Sequence, residues 1–354
     1  TIQWQSAPGE ASTIRVTPQL IRVSDATYVW GDIYDEPVTK VFAVQSSIAA
    51  KVTESLGVVI LEQEQQVLDR RLTQSPDAYK AYLRGLAGYT MMLETGDVGA
   101  YTKAIDEFEQ AVEIDPEFAV AYGEIANYWI TQLSQVAIAS DRRDKTVAEI
   151  RAASEEALDN AIRYSRNPTE ALRFRTIKAV TEIKLSQALQ LNSEFLEARP
   201  HDRQAQGQQL NLLAQLNMFD EISQVAFEFF ERDGFDPVVT GRSIHTMLYS
   251  NNEQAIRKFL GQVDEHLDRS RVVTYQAHRG LLWIGEVDRA RELHDQLIGS
   301  DLTGSQRAHV RLRQLCAEER VDEAQRLYEQ ARDEFSDRRS FPWLSANTMG
   351  YPDQ

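Results

Sequence analysis

The chain has 354 residues, 42% hydrophobic and 26% charged, with a net charge of −16 and a pI near 4.9. That composition is ordinary for a soluble globular protein and excludes an intrinsically disordered one. The average field would repel a phosphate backbone, so nucleic acid is not expected as a direct partner. One cysteine, Cys316, excludes an internal disulfide and a multi-cysteine metal site. No run of 18 apolar residues is long enough to span a bilayer, and no signal peptide is visible. The chain opens on Thr1 rather than Met, so it reads as a fragment of a longer protein.

In chain order, Thr1–Gln5 reads as a short strand and Ser6–Glu10, with Pro8 and Gly9, as a turn. Thr13–Val23 is β-branched and alternating, which predicts a second strand, with Pro18 marking an edge or a bulge. Tyr28–Trp30 predicts a third. Asp35-Glu36-Pro37 has the chemistry of a helix start, Asp35 capping and Pro37 in the first turn. Val41, Val44, Ile48 and Val52 follow at helical spacing up to Leu56-Gly57, and Gly57–Ile60 is one more candidate strand. Trp30 and Tyr34 are expected to pack the sheet on that helix.

Three pieces of this stretch, Arg15-Val-Thr-x-Gln-Leu20, Trp30-x3-Tyr34-Asp35 and Val41-Phe-x-Val-Gln45-x2-Ile48-Ala49, carry a resemblance. Together they resemble the second half of the TolB amino-terminal-like (FlgO-like) α/β domain. In bacterial signalling proteins that domain precedes tetratricopeptide repeats and follows a winged-helix, class III adenylate cyclase or serine/threonine kinase domain. The family's first half has no counterpart here. The resemblance therefore implies an incomplete sheet over residues 1–61, whose open edge is completed upstream or by another chain.

From 62 to 75 a linker helix is expected, and residues 76–335 then repeat. The motif Ala104-x3-Phe108-x2-Ala111-x4-Pro116 returns as Ala290-x3-His294-x2-Leu297 and as Ala324-x3-Tyr328-x2-Ala331. Aligned on its first position, the series is Ala104, Ser154, Ala188, Ile222, Ala255, Ala290 and Ala324, with intervals of 50, 34, 34, 33, 35 and 34. This is the tetratricopeptide period, so the fold class is mainly α: an α-α superhelix of about seven helical hairpins behind the small α/β segment. First helices are expected near Pro76, Tyr122, Pro168, Pro200, Pro237, Ser270 and Ser305. The 16 extra residues of the long interval fall around Ser134–Lys145, and residues 336–354 form a tail. The small residue lets paired helices approach, and the large residue four later is expected to fill the space against the next hairpin.

In such a stack the first helices line the concave wall. Its register positions are Tyr82, Asn127, Arg173, Asn211, Tyr275, Arg279, His309 and Arg313. Arginine and asparagine there could grip a peptide carboxylate or an acidic side chain, with bidentate bonds from arginine; the alternative is a solvated polar surface. The aromatic residues Tyr79, Tyr82, Tyr89, Tyr122 and Trp129 read as core between the first two hairpins or as a ligand wall. Cys316, between helix-spaced leucines, reads as a small buried hydrophobe.

No H-E-x-x-H, G-x-x-x-x-G-K-[ST] or G-x-S-x-G motif is present, and the six histidines have no close metal-ligand spacing. The expectation is a non-enzymatic region, without cofactor or metal, that binds a protein or peptide within a larger bacterial signalling protein. It would be cytoplasmic or the periplasmic part of an anchored one, and self-association through the sheet edge is open. The alternative is a small-molecule sensor in which the α/β part binds the ligand.

Overall fold

The computed structural model describes residues 2–5, 13–22, 27–37, 41–55, 72–95, 98–134, 145–267, 269–300, 302 and 304–335. The expected strand at 57–60, the linker helix, the insertion around Ser134–Lys145 save its two ends, and the tail lie outside them. The chain divides into two compact units, Thr1–Tyr128 with Asp159–Tyr164, and Trp129–Leu158 with Ser165–Gln354. The architecture is mainly α, in the class of α-α superhelices, and among the described residues the strands lie in the amino-terminal part.

The first unit opens with five short strands: β1 (Ile2–Gln5), β2 (Thr13–Val16), β3 (Gln19–Arg22), β4 (Thr27–Gly31) and β5 (Tyr34–Pro37). They pair antiparallel as a β1-β2-β5 sheet and a β3-β4 ribbon. Pro18 splits the expected second strand in two, since a residue without an N–H cannot continue the ladder. Asp35 does not cap a helix. It sits on β5 opposite Arg15 on β2, and the two side chains form an ion pair. The cross-strand partner outcompetes the cap, and helix α1 starts later and runs Val41–Ser55. It lies against β4 and β5, with Ser47 Oγ donating to Tyr34 Oη at 3.4 Å.

The first hairpin is α2 (Pro76–Thr95) and α3 (Val98–Ile114). A Cβ at Gly85 would stand 2.5 Å from the Phe108 ring, so this crossing needs glycine. Phe108, 2% exposed, thus packs within its own hairpin, against Gly85 and Tyr82. Of the aromatic residues, Tyr79, Tyr82 and Trp129 are buried, while Tyr89 and Tyr122 are half-buried; Tyr82 lies 5.7 Å from Phe108 and 5.2 Å from Phe118, and Tyr101 lies 4.9 Å from Tyr128. Helices α4 (Ala119–Ser134) and α5 (Val147–Arg163) each contribute to both units.

The second unit continues with five hairpins. They are α6/α7 (Pro168–Thr181, Leu185–Ala198), α8/α9 (Arg203–Gln215, Phe219–Asp233), α10/α11 (Pro237–Met247, Glu253–Gln262), α12/α13 (Arg271–Trp283, Val287–Ile298) and α14/α15 (Gly304–Ala317, Val321–Phe335). Each hairpin turns through one left-handed residue: Ile183, Asn217, Asn251, Gly285 and Glu319, spaced 34 apart. At four of these turns the next N–H reaches back to the carbonyl five residues earlier, as from Lys184 to Ala179 at 2.8 Å and from Arg320 to Leu315 at 2.9 Å. This is the Schellman closure, which satisfies helix-end carbonyls. Asn167, Asp202, Asp236 and Asn252 cap the following helices through side-chain oxygens.

The buried register is more regular than the sequence series. Ser154, Ala188, Ile222, Ala290 and Ala324 are buried as expected, but in the fifth repeat the buried residue is Ile256 (1% exposed), not Ala255. With that correction every interval from 154 to 324 is 34.

Candidate functional site

The 34-residue period sorts the sequence-predicted wall residues of the second unit into two rows, one helical turn apart. One row is Arg173, Gly207, Gly241, Tyr275 and His309; the other is Asn211, His245, Arg279 and Arg313. All lie on the first helices α6, α8, α10, α12 and α14. Residues three and four apart share a helix face, so each row presents one position per repeat. Tyr82 and Asn127 belong to the first unit, Tyr82 in its core at 9% exposure and Asn127 half-buried. Arg173 Nη2 donates to Gln204 Oε1 at 2.5 Å and so ties α6 to α8, while Asn211 is half-buried on α8.

The last three repeats bring their residues together. Arg279 Nη1 lies 3.1 Å from His245 Nδ1. A guanidinium can only donate, so Nδ1 accepts, the proton sits on Nε2, and that nitrogen faces Tyr249 Oη at 3.3 Å. His245 is held neutral: burial, then the charges of Arg279, Arg242 and Arg313, bring its pKa down to about 4. The Arg313 guanidinium lies over the Tyr275 ring, 5.5 Å from its centroid. His309, 5% exposed, lies one turn before Arg313 on α14.

Arg313 is the unusual member. It is 3% exposed, its Nη1 has no hydrogen-bond partner, and no carboxylate among the described residues pairs with it. A buried charge in that condition carries a penalty of several kcal/mol. Arginines on or beside the second helices are treated differently. Arg257 meets Glu253 and Glu286, Arg289 meets Glu286 and Asp264, Arg291 meets Asp288 and Glu318, and Arg320 meets Glu318 and Glu323. A chain of net charge −16 has ample carboxylates, yet among the described residues none is placed against Arg313. Arg242, on the exposed side of α10, also has no carboxylate partner among the described residues.

Behind this wall, His278 is fully buried and donates through Nε2 to Gln314 Oε1 at 3.1 Å. Gln314 Nε2 in turn donates to Glu318 Oε1 at 2.7 Å. Burial, aided by Arg313 and His294 and opposed by the bond to Gln314, lowers the His278 pKa to about 4. This chain locks α12 to α14 and fixes the backbone that carries Arg279 and Arg313.

On the opposite side of α14 is an open cleft of about 490 Å³ lined by α13, α14 and α15, including Arg291, Arg311, Glu318, Arg320 and Arg326. Its Glu318 and Glu323 are engaged by Arg291 and Arg320. Cys316 is exposed rather than buried, and partial desolvation by its neighbours raises its thiol pKa. Among the described residues no group of three or more histidine, cysteine, aspartate or glutamate side chains is placed to hold a metal, and no helix is long and apolar enough to cross a membrane.

Sequence reasoning missed His245 and Arg242. His245 was legible: it stands 34 residues after Asn211 and 34 before Arg279. Arg242 carries no periodic signal.

No family model matches the chain. Over 116 residues it is 23% identical to the putative adenylate cyclase 3 of Rhizobium meliloti (strain 1021), a match that takes in 33% of this chain and 19% of that protein. A tetratricopeptide repeat protein from Parabacteroides merdae ATCC 43184 aligns over 77% of this chain and 100% of its own, at 13% identity and a TM-score of 0.43. Pseudomonas aeruginosa pilF aligns over 64% of this chain and 97% of its own, at 12% identity and a TM-score of 0.39.

Proposed function

We propose that this chain is a non-enzymatic protein-interaction region of a larger signalling protein, with its partner segment bound along the first-helix wall of the last repeats. On this reading residues 76–335 form about seven tetratricopeptide-like repeats. Residues 1–61 form a TolB amino-terminal-like segment, followed by a linker at 62–75. The observation that carries the reading is Arg313: a buried guanidinium without a carboxylate partner among the described residues, on the same wall as Arg242 and Arg279. Folding alone gives no reason to keep such a charge, whereas an anionic partner supplies the missing counter-charge. The partial similarity to a putative adenylate cyclase supports a regulatory setting.

The test is cross-linking of the full chain in bacterial extract, identification of the captured protein, and measurement of its affinity as a purified pair. The double variant Arg279→Gln/Arg313→Met is expected to weaken that affinity at least tenfold. Unchanged affinity would remove the wall as the binding site.

A further inference from the structure

We infer that the cleft between α13, α14 and α15 binds a small phosphomonoester, held between Arg311 and Arg326. This site is separate from the first-helix wall and does not depend on the partner proposed for that wall.

The cleft, about 490 Å³, has the size of a small-molecule site. Four guanidiniums line it: Arg291 on α13, Arg311 on α14, Arg326 on α15, and Arg320 in the turn between the last two helices. Three carboxylates line it as well, and each is already engaged. Glu318 accepts from Gln314 at 2.7 Å, from Arg291 at 2.9 Å and from Arg320 at 3.0 Å. Glu323 accepts from Arg320 through both oxygens, at 2.8 Å and 2.7 Å. Asp295 accepts from His294 Nδ1 at 2.9 Å.

Arg311 and Arg326 are left over. Among the described residues neither forms an ion pair, and both are exposed. Glu323 feels the charge of Arg326, but its oxygens are held by Arg320. Two guanidiniums from the two helices of one hairpin therefore open onto one cleft whose own carboxylates are spent. The local excess of positive charge runs against a net charge of −16.

The same hairpin has room for the body of a ligand. A second hollow, about 220 Å³, shares Arg311, Leu327 and Gln330 with the cleft and continues to Gly304, Ala308 and Ala331. Arg307 at its edge is spent on the backbone, donating to the Ile298 and Leu302 carbonyls at 2.8 Å and 3.2 Å. The charged end of the combined space is thus the cleft, and the small apolar end is the hollow.

The ligand's chemistry follows from the two free forks. A monocarboxylate has two oxygens, and one guanidinium fills both. A phosphomonoester carries close to two negative charges at neutral pH and three strong acceptor oxygens on one centre, so it answers both arginines. No phenylalanine, tyrosine or tryptophan lines either space, which leaves a nucleobase without a stacking partner. A compact aliphatic or sugar-like body fits better.

The experiment is isothermal titration calorimetry of the full chain with glycerol 3-phosphate, succinate, glycerol and a phosphoserine-containing peptide. Glycerol 3-phosphate is expected to bind saturably and at least tenfold tighter than succinate or the peptide, and glycerol is expected not to bind. Arg311→Gln/Arg326→Gln should weaken glycerol 3-phosphate at least tenfold. Both residues are exposed and outside any ion pair, so the thermal midpoint without ligand should stay where it is. Arg242→Gln, which removes an exposed arginine from the first-helix wall, should leave the affinity unchanged. No saturable binding of glycerol 3-phosphate, full affinity in the double variant, or an equal loss in Arg242→Gln would overturn the site. Succinate binding as tightly would overturn the phosphate assignment, and tighter binding of the peptide would overturn the small-ligand assignment.

Discussion

Replacing Arg313 by methionine should make the protein more stable while it removes binding. Methionine keeps the stem that packs against α12 and discards the charge. The substitution removes one buried N–H without a partner, worth about 1–3 kcal/mol. It also removes a desolvated charge that no carboxylate offsets among the described residues. Against this stands the guanidinium–ring contact with Tyr275, worth about 0.5–2 kcal/mol. Exchanges of buried ions for apolar residues of similar volume range from neutral to about 4 kcal/mol stabilising, so a net gain of about 1–3 kcal/mol is expected here. For a unit of this size, each kcal/mol raises the thermal midpoint by about 2–4 °C. Calorimetry of the full chain measures it, with Arg257→Met as the contrast. Arg257 is half-exposed and paired with Glu253 and Glu286, so its loss should cost no more than about 1 kcal/mol. A loss of about 2 kcal/mol or more from Arg313→Met in a folded protein would refute the reasoning, since it would mean that the guanidinium is compensated where it lies.

Phe259 is 1% exposed and meets Phe227 and Phe230 edge-on, so Phe259→Ala should cost about 3–5 kcal/mol by urea denaturation. Ile183 occupies a left-handed turn position at φ 60° with its side chain 81% exposed. A β-branched residue there carries about 1–2 kcal/mol of strain, so Ile183→Gly should stabilise by about 1 kcal/mol. His245 and His278 have folded pKa values near 4 against an ordinary 6.5. The unfolded chain therefore binds more protons between those values, and stability present above pH 6.5 should fall as the pH drops through 4. His278→Leu, which gives this position the apolar character of Leu210, Ile244 and Leu312 in the neighbouring repeats, should flatten that slope in pH-dependent denaturation. For Glu318, burial pushes the pKa up, but bonds from Gln314, Arg291 and Arg320 outweigh it and bring it to about 2. A second loss of stability should follow as the pH falls from about 4.5 towards 2, and it should be smaller in Glu318→Gln.

The hairpins were legible because their constraints are local and recur. Capping residues at Asn167, Asp202, Asp236 and Asn252 and prolines at 168 and 237 mark helix starts in the sequence itself. Asp35 was misread because cap chemistry is local, whereas its partner Arg15 lies 20 residues away on a paired strand. The fifth repeat was set one residue early because a small residue was favoured for the buried position. Ile222 already showed that this position accepts isoleucine, and Ile256 repeats it.

The wall was half legible. Period alone finds Asn211, His245, Arg279 and Arg313, but period cannot say whether an arginine has a carboxylate beside it. That depends on what the neighbouring helices present. On the second helices of the last repeats, glutamate or aspartate stands within reach of Arg257, Arg289 and Arg291. On the first helices Arg279 meets His245, and Arg313 lies over Tyr275. The two faces of the same hairpins thus receive opposite treatment from one acidic sequence. The outer arginines close the fold on itself, whereas Arg313 lies buried with no carboxylate against it among the described residues.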